Sequence, residues 1–501
     1  MKKIICLTVL FIATTNCLIA LAQEKANLAF ASVLQSNMVV QQNKPFKVWG
    51  SAPAGETVAI TADWLPSTVK VETDADNRFL GIISVPLAKK GDFTKHTLTV
   101  SSSNKSIALN NLLIGETWIC SGQSNMQFGM KETIDSAVEI PAANYPNIRL
   151  FNGGLNFSNE PIDSIKGSWK ECTPATVKNF SAVAYHFGRE LYNTLNVPVG
   201  IIFTGIGASA AQAFVPRDVL AADPLLDSVY LEPYLRSAKS KEKMNGGFSF
   251  EKVTRPFLLY NAVIHPFTNL SIKGFTWYQG EANRMERESY TRVTQAMIES
   301  WRKNFGQGNL PFYYVQVAPF WYDQPDSTLA DYAFFREAQE NISQLSNTSM
   351  VLTMDVGEAR NLHPKNKKPI GVRLAKTALN RDYGMLNVSY RGPHYNYVVF
   401  DKKRAIIHFN PETVSSGLTT KDVGSPKFFN VAGEDKIFYP ANAEIAGETI
   451  VVTSDKVKKP VAVRYAFTNF SVTNLQNADG FPAVPFRTDA WAEVKVENKK
   501  K

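Results

Sequence analysis

The apolar positions of this chain fall into three textures. From about Leu28 to Leu113 short runs alternate apolar and polar residues, as in Asn37-Met-Val-Val-Gln41, Phe46-Lys-Val-Trp-Gly50, Thr57-Val-Ala-Ile-Thr61, Phe79-Leu-Gly-Ile-Ile83 and His96-Thr-Leu-Thr-Val100. Gly, Pro, Asn and Ser clusters separate them and no helical period is present, which predicts a small β-sandwich over residues 23–112. Near Ile114 the pattern changes. Trp118-Ile119-Cys120 reads as a strand end, Ala184, Phe187, Gly188 and Leu191 recur at helical spacing, and Val199–Phe203 is the next strand. Gly274–Tyr278, Phe312–Val317 and Met350–Met354 read as further strands, alternating with helices over Thr291–Asn304, Asp331–Leu345 and Gly371–Tyr383. Such βαβ order predicts a parallel sheet with helices on both faces, over residues 113–385. Beyond Leu386 the strand texture returns, in Tyr397–Phe400, Ala405–Phe409, Thr449–Thr453 and Val461–Tyr465, and predicts a second β-sandwich over residues 386–497.

The first residues add a compartment. Lys2 and Lys3 precede an apolar run from Ile4 to Ile12, and Ala20-Leu21-Ala22 offers a small-x-small cleavage site before Gln23. This is the pattern of a signal peptide over residues 1–22, implying a secreted or periplasmic protein. Thr14, Thr15 and Asn16 leave the apolar part too short to span a bilayer and are a poor lipoprotein context for Cys17, so no anchor is expected after cleavage. Cys120 and Cys172 are then the only thiols, and a disulfide or two separate buried thiols both remain open. Neither has neighbours at metal-ligand spacing.

The formal net charge of +9 falls to +4 when Lys2, Lys3 and the terminal Lys499, Lys500 and Lys501 are set aside. The remaining basic residues are dispersed without an aromatic-basic cluster, so no nucleic-acid partner is expected.

Ligands of an open parallel sheet bind at the carboxyl ends of its strands, and the polar oddities of this chain fall there. Cys120-Ser-Gly-Gln-Ser124-Asn-Met126 follows the first strand of the middle region and presents a serine on a tight turn; the glycine that an α/β-hydrolase elbow needs two residues later is replaced by Met126. Thr204-Gly-Ile-Gly207-Ala-Ser-Ala210 follows the second, where backbone N–H groups can face an oxyanion. Trp277-Tyr-Gln279-Gly-Glu281-Ala-Asn283 ends a third strand and offers a neutral amide donor. Asn361-Leu-His363-Pro364 follows the last strand, and of the six histidines only His363 lies in a polar loop at that edge. His265, within an apolar stretch, is expected to be a core histidine.

Taken together and in this order, Gly-Gln-Ser124-Asn-Met, the Gly-rich block, Trp-Tyr-Gln279-Gly-Glu281-x-Asn and His363-Pro-Lys-Asn-Lys367 resemble the sialate O-acetylesterase family of the SGNH hydrolases. The resemblance covers most of the chain, the β regions included. It implies an SGNH-type, flavodoxin-like α/β sheet flanked by the two β-sandwiches, and a serine esterase that removes O-acetyl groups from sugars, sialic acid foremost, without a metal or organic cofactor. By the same resemblance Ser124 is the nucleophile and His363 its base, and the N–H groups of Ser124 and Gly207 with the Gln279 side chain form the oxyanion hole. Glu281 would brace the loops of the site.

Many SGNH enzymes carry an aspartate three residues before the histidine, where this chain has Arg360. The related bacterial pattern often has an acid two before, where it has Asn361. The group that orients the imidazole is therefore open among Asn361, Asp355 and Glu358. Gly205-Ile-Gly207-Ala208 and Gln212-Ala-Phe214 also stand in place of the usual Ser-Trp-Gly-Gly and Glu-Ala-Trp. Arg217 and Arg284 lie close enough to the motifs to meet a substrate carboxylate. Two other functions fit the same sequence: an esterase of acetylated xylan or another glycan, and a carbohydrate-binding protein built on the β regions, for which Ser124 would be dispensable.

Overall fold

The computed structural model describes residues 27–103, 105–244, 247–322 and 329–493. The signal-peptide expectation for residues 1–22 lies outside the described residues.

The central sheet has seven strands: Lys105–Gly122 (β1), Tyr145–Asn152 (β2), Trp169–Cys172 (β3), Val199–Phe203 (β4), Gly274–Tyr278 (β5), Phe312–Val315 (β6) and Thr348–Val351 (β7). Their spatial order is β3-β2-β4-β1-β5-β6-β7, all parallel except β3, which runs antiparallel to β2. The chain thus builds outward from β1 in both directions, and the carboxyl end of β1 is a topological switch point.

Strand alternation sends successive side chains to opposite faces, and each face has its own core. Ile119, Phe275, Trp277, Phe312 and Tyr314 pack with Val293, Met297, Trp301 and Phe335 on one side. Trp118, Cys120, Tyr278, Tyr313 and Val315 pack on the other with Val183, Phe187, Leu191, Ile370 and Leu374. The covering helices are Ala182–Leu195 (α1), Glu288–Phe305 (α2), Asp331–Glu340 (α3) and Lys368–Asp382 (α4). Gly306 ends α2 in the left-handed region, φ 65°, its N–H reaching the carbonyls of Arg302 and Lys303.

The N-terminal region holds two sheets. One pairs Thr57–Ala62 with Val69–Glu72 and His96–Ser102; the other joins Ala29–Phe30, Phe46–Ser51 and Arg78–Ile83. Val58, Ile60, Phe79 and Ile83 are buried between them while their neighbours in the strands face solvent, as period-two alternation requires. His96–Ser102 pairs with the first half of β1, and Val39–Gln41 runs parallel to its middle. One 18-residue strand thus passes from the N-terminal sheet into the central one, across the point where the texture changes. The C-terminal region has two four-stranded sheets, one of Tyr395–Asp401, Arg404–Phe409, Thr449–Thr453 and Asn442–Ala446, the other built on Phe429–Ala432 and Ala462–Tyr465. They share a core of Ile407, Val431, Ile450, Val463 and Phe486.

Cys120 and Cys172 are separate buried thiols, both pushed up to about 12 by burial. His265 is not a core histidine: its side chain is partly exposed and sits 3.4 Å from Asp163. The buried histidine is His186 on α1, which burial pushes down to about 4. Among the described residues no helix is long and apolar enough to cross a membrane.

Candidate active site

The strand-end motifs converge at the switch point. Gly122 closes β1 at φ 138°, and a Cβ there would lie 2.2 Å from the carbonyl oxygen of Tyr278 at the end of β5. Only glycine lets the two strand ends touch. The Gln123 side chain then accepts from the N–H groups of Gly280 and Ala282, both at 3.3 Å, fixing the serine turn to the Gln-Gly-Glu block. Ser124 begins a single helical turn, Ser124–Gln127, so its N–H has no partner within that turn.

Ser124 Oγ and His363 Nε2 are 2.8 Å apart, although 239 positions separate them in sequence. The His363 ring stacks on Phe128, centroids 6.2 Å apart. Its pKa is held below the ordinary 6.5, first by burial and then by the charge of Lys367, against a smaller opposing pull from Glu132. A neutral imidazole beside a serine hydroxyl is the arrangement for general-base activation of the oxygen.

The groups expected to orient His363 are engaged elsewhere. Asp355 takes both of its oxygens to Arg373, at 2.7 Å each. Glu358 accepts from the Asn361 amide at 3.0 Å and from the Lys365 N–H at 2.7 Å. Asn361 reaches His363 only through the backbone, its Oδ1 accepting the His363 N–H at 3.1 Å. None of the three touches the ring, and among the described residues no carboxylate hydrogen-bonds the imidazole. These side chains shape the loop that carries the histidine.

Around the oxyanion position the three expected donors differ. Gly207 lies against the serine: a Cβ built on it would be 3.8 Å from Ser124 Cβ. Its N–H donates to the amide oxygen of the exposed Gln127 side chain at 2.8 Å. Gln279, by contrast, is fully buried and donates to the Ser209 carbonyl at 3.2 Å and to Asn283 Oδ1 at 2.8 Å. Both amide hydrogens are used, so in this arrangement Gln279 braces the Gly-rich loop instead of facing the serine. Asn283 completes the brace by accepting the Ala211 N–H at 3.0 Å.

Glu281 is buried beside the serine turn. It accepts from the Asn125 amide at 2.5 Å, and the same amide nitrogen donates to the Leu362 carbonyl at 3.1 Å. Asn125 thereby ties the residue after the serine to the residue before the histidine. Its Oδ1 accepts from Lys367 Nζ, a fully buried ammonium between the rings of Phe128, at 4.8 Å, and Tyr278, at 5.6 Å. Burial raises Glu281 above the usual carboxylate range and lowers Lys367 to about 7. Asn125 and Lys367 both lie inside sequence motifs, but only the fold shows that they meet.

Ala208 adopts φ 60°, beside Gly207. The left-handed region costs an L-residue roughly 1–2 kcal/mol, part of which glycine returns in the unfolded chain. Ala208→Gly is expected to stabilise the protein by up to about 1 kcal/mol, read as a higher thermal midpoint. An unchanged or lower midpoint would show that the strain is relieved by packing.

Among the described residues no cluster of three or more His, Cys, Asp or Glu side chains is arranged to hold a metal. The site brings together a serine hydroxyl, an imidazole in hydrogen-bond contact with it and backbone N–H groups, an arrangement that can carry out acyl transfer.

Comparison with known proteins agrees with this chemistry. Residues 115–380 match the model of a family described as carbohydrate esterase, sialic acid-specific acetylesterase. The chain is 28% identical over 409 residues to the sialate O-acetylesterase of Mus musculus, covering 73% of this chain and 75% of that protein. It is 26% identical over 399 residues to the Homo sapiens sialate O-acetylesterase, covering 73% of each. A carbohydrate acetylesterase from Xanthomonas citri superposes with a TM-score of 0.82 at 31% identity, covering 92% of this chain and all of that one.

Proposed function

Because the chain belongs to the sialic acid-specific acetylesterase family of carbohydrate esterases, we propose that it hydrolyses O-acetyl esters of sialic acids, releasing acetate through an acetyl-serine on Ser124. The observation that carries the mechanism is the 2.8 Å hydrogen bond between Ser124 Oγ and His363 Nε2 at the switch point of the sheet.

His363 Nε2 takes the Ser124 proton as the oxygen attacks the acetyl carbonyl carbon. The carbonyl oxygen, now negative, displaces the Gln127 amide oxygen and accepts from the N–H groups of Gly207 and Ser124. The bond from the acetyl carbon to the sugar oxygen breaks, and His363 returns its proton to that oxygen. Water then adds to the acetyl-serine with His363 again as base, the bond from the acetyl carbon to Ser124 Oγ breaks, His363 returns the proton to Oγ, and acetate leaves. Gln279 and Glu281 hold the loops in register. Residues 1–22 act as an export signal in this scheme, placing the enzyme outside the cytoplasm where acetylated glycans are met.

Because His363 must be neutral to act and its pKa is held below the ordinary 6.5, kcat/KM is expected to rise with pH along an acid limb whose midpoint lies below pH 6.5. An acid limb centred above 6.5 would contradict the role given to burial and Lys367.

Substrate class is tested by acetate release from 9-O-acetylated sialic acid, from acetylated xylan and from an aryl acetate. Release from the sialic acid at the highest kcat/KM is expected. Release from xylan alone would keep the mechanism and move the substrate, and release from none would favour carbohydrate binding without catalysis.

A further inference from the structure

Beside the Gln-Gly-Glu block stands a guanidinium that, among the described residues, pairs with no carboxylate. Arg284 directly follows the Gln279-Gly-Glu-Ala-Asn283 block, and its guanidinium carbon sits over the ring of Tyr322, 4.0 Å from the centroid. Its Nε is buried with no hydrogen-bond partner, and among the described residues no ion pair engages its Nη groups. Neighbouring arginines are satisfied within the protein: Arg287 by Glu493 at 2.6 Å and Arg373 by Asp355 at 2.7 Å. The Tyr322 ring is itself held edge to face between Phe320, at 4.9 Å, and Tyr332, at 5.1 Å. The guanidinium therefore has a fixed platform.

Both sides of this pair connect to the reacting groups. On the Arg284 side, Glu281 bonds Asn125, the residue after Ser124. On the Tyr322 side, the N–H of Trp321 donates to the Ala359 carbonyl at 3.1 Å, in the loop that carries His363. A half-buried guanidinium held on an aromatic ring, its Nε without a partner, is preorganised for a planar anion, which it takes in a bidentate grip.

We propose that Arg284, stacked on Tyr322, is the subsite for the carboxylate of an acetylated sugar acid. The inference rests on the sialic acid reading above and supplies what that reading lacks, a group that distinguishes an acidic sugar from a neutral one. Arg217 does not compete for this role: it is exposed, 5.9 Å from the Phe257 ring, and lines a separate cleft with His265 and Tyr260.

The test compares wild type, Arg284→Ala and Arg284→Lys on 9-O-acetylated sialic acid, on its carboxyl methyl ester and on an aryl acetate, following acetate. Wild type should prefer the free acid to the methyl ester. Arg284→Ala should raise KM for the free acid by about 10- to 100-fold, the worth of a charge-assisted bidentate contact, and erase that preference. Its kcat on the aryl acetate should be unchanged, and Arg284→Lys should recover part of the loss. An Arg284→Ala variant that loses equally on all three substrates would show that the residue only braces the loop, and one that loses nothing on the free acid would remove it from the site. Both outcomes overturn the proposal while leaving the sialic acid reading in place. A wild type active on the aryl acetate and acetylated xylan but not on the sialic acid would overturn that reading, and this inference with it.

Discussion

Ser124→Ala is expected to lower kcat for acetate release by on the order of 10⁴-fold or more, and His363→Ala by a similar factor. The double variant should be little worse than either single one, because nucleophile and base act as a unit across one 2.8 Å hydrogen bond. Neither change should unfold the protein. Ser124 and His363 are each only partly buried, and the loop that carries the histidine keeps its contacts through Asn361, Glu358 and Leu362. KM should move little, since the hydroxyl does its work at the reacting carbon. Steady-state kinetics on an aryl acetate, with circular dichroism to verify folding, reads the effect. A Ser124→Ala protein retaining more than about a tenth of wild-type kcat would point to a different nucleophile, because loss of an attacking oxygen has no partial form.

Lys367→Met is expected to cost roughly 10²-fold in kcat, the scale associated with a misplacement of about 1 Å between reacting groups. The lysine does not touch Ser124. It holds the Oδ1 of Asn125, whose amide nitrogen spans Glu281 and the Leu362 carbonyl. Removing the ammonium frees one end of the bridge between the serine turn and the histidine loop. A purely structural role would stop at lower kcat and lower stability. The electrostatic role adds a readout: Lys367 is one of the causes that depress the His363 pKa, so in Lys367→Met the acid limb of kcat/KM should move to higher pH. The sign follows from the loss of a positive neighbour, which makes the imidazolium easier to form. Glu132 faces the same ring with the opposite sign and stays in place, and Glu281 and Glu358, which favour the charged lysine, lose their partner. A variant with reduced kcat and an unmoved acid limb would reduce Lys367 to a packing role.

Much of this architecture is legible in the amino-acid sequence. The seam between alternating and helical periods marks the central region, and the Ser124, Gly207, Gln279 and His363 motifs follow the ends of β1, β4, β5 and β7 because a parallel sheet forces them to one edge. Apolar periodicity misses strand β2 because Pro146 and Arg149 interrupt its pattern. Arg149 is nonetheless buried, donating to the Asn37 and Pro146 carbonyls, a satisfaction that periodicity does not reveal. The last strand begins at Thr348, two residues before its apolar run, because pairing with β6 sets its register.

The site is legible in composition more than in wiring. Nothing in the sequence says that Asp355 is committed to Arg373, or that the Gln279 amide turns toward Ser209 and Asn283. The Arg373 and Ser209 partners lie 18 and 70 positions away. Lys367 reads as an ordinary basic residue in a polar loop, and only the rings of Phe128 and Tyr278 closing over it make it a buried cation.

The most direct measurement is rapid-quench mass spectrometry of the purified protein reacting with an excess of aryl acetate at acidic pH, where deacylation by His363 is slowed. One acetyl group should accumulate on the peptide that contains Ser124, with a burst of released phenol matching the enzyme concentration, and His363→Ala should show neither. Acetylation of any other residue at the burst rate, or turnover without acetyl on Ser124, would contradict the acetyl-serine mechanism.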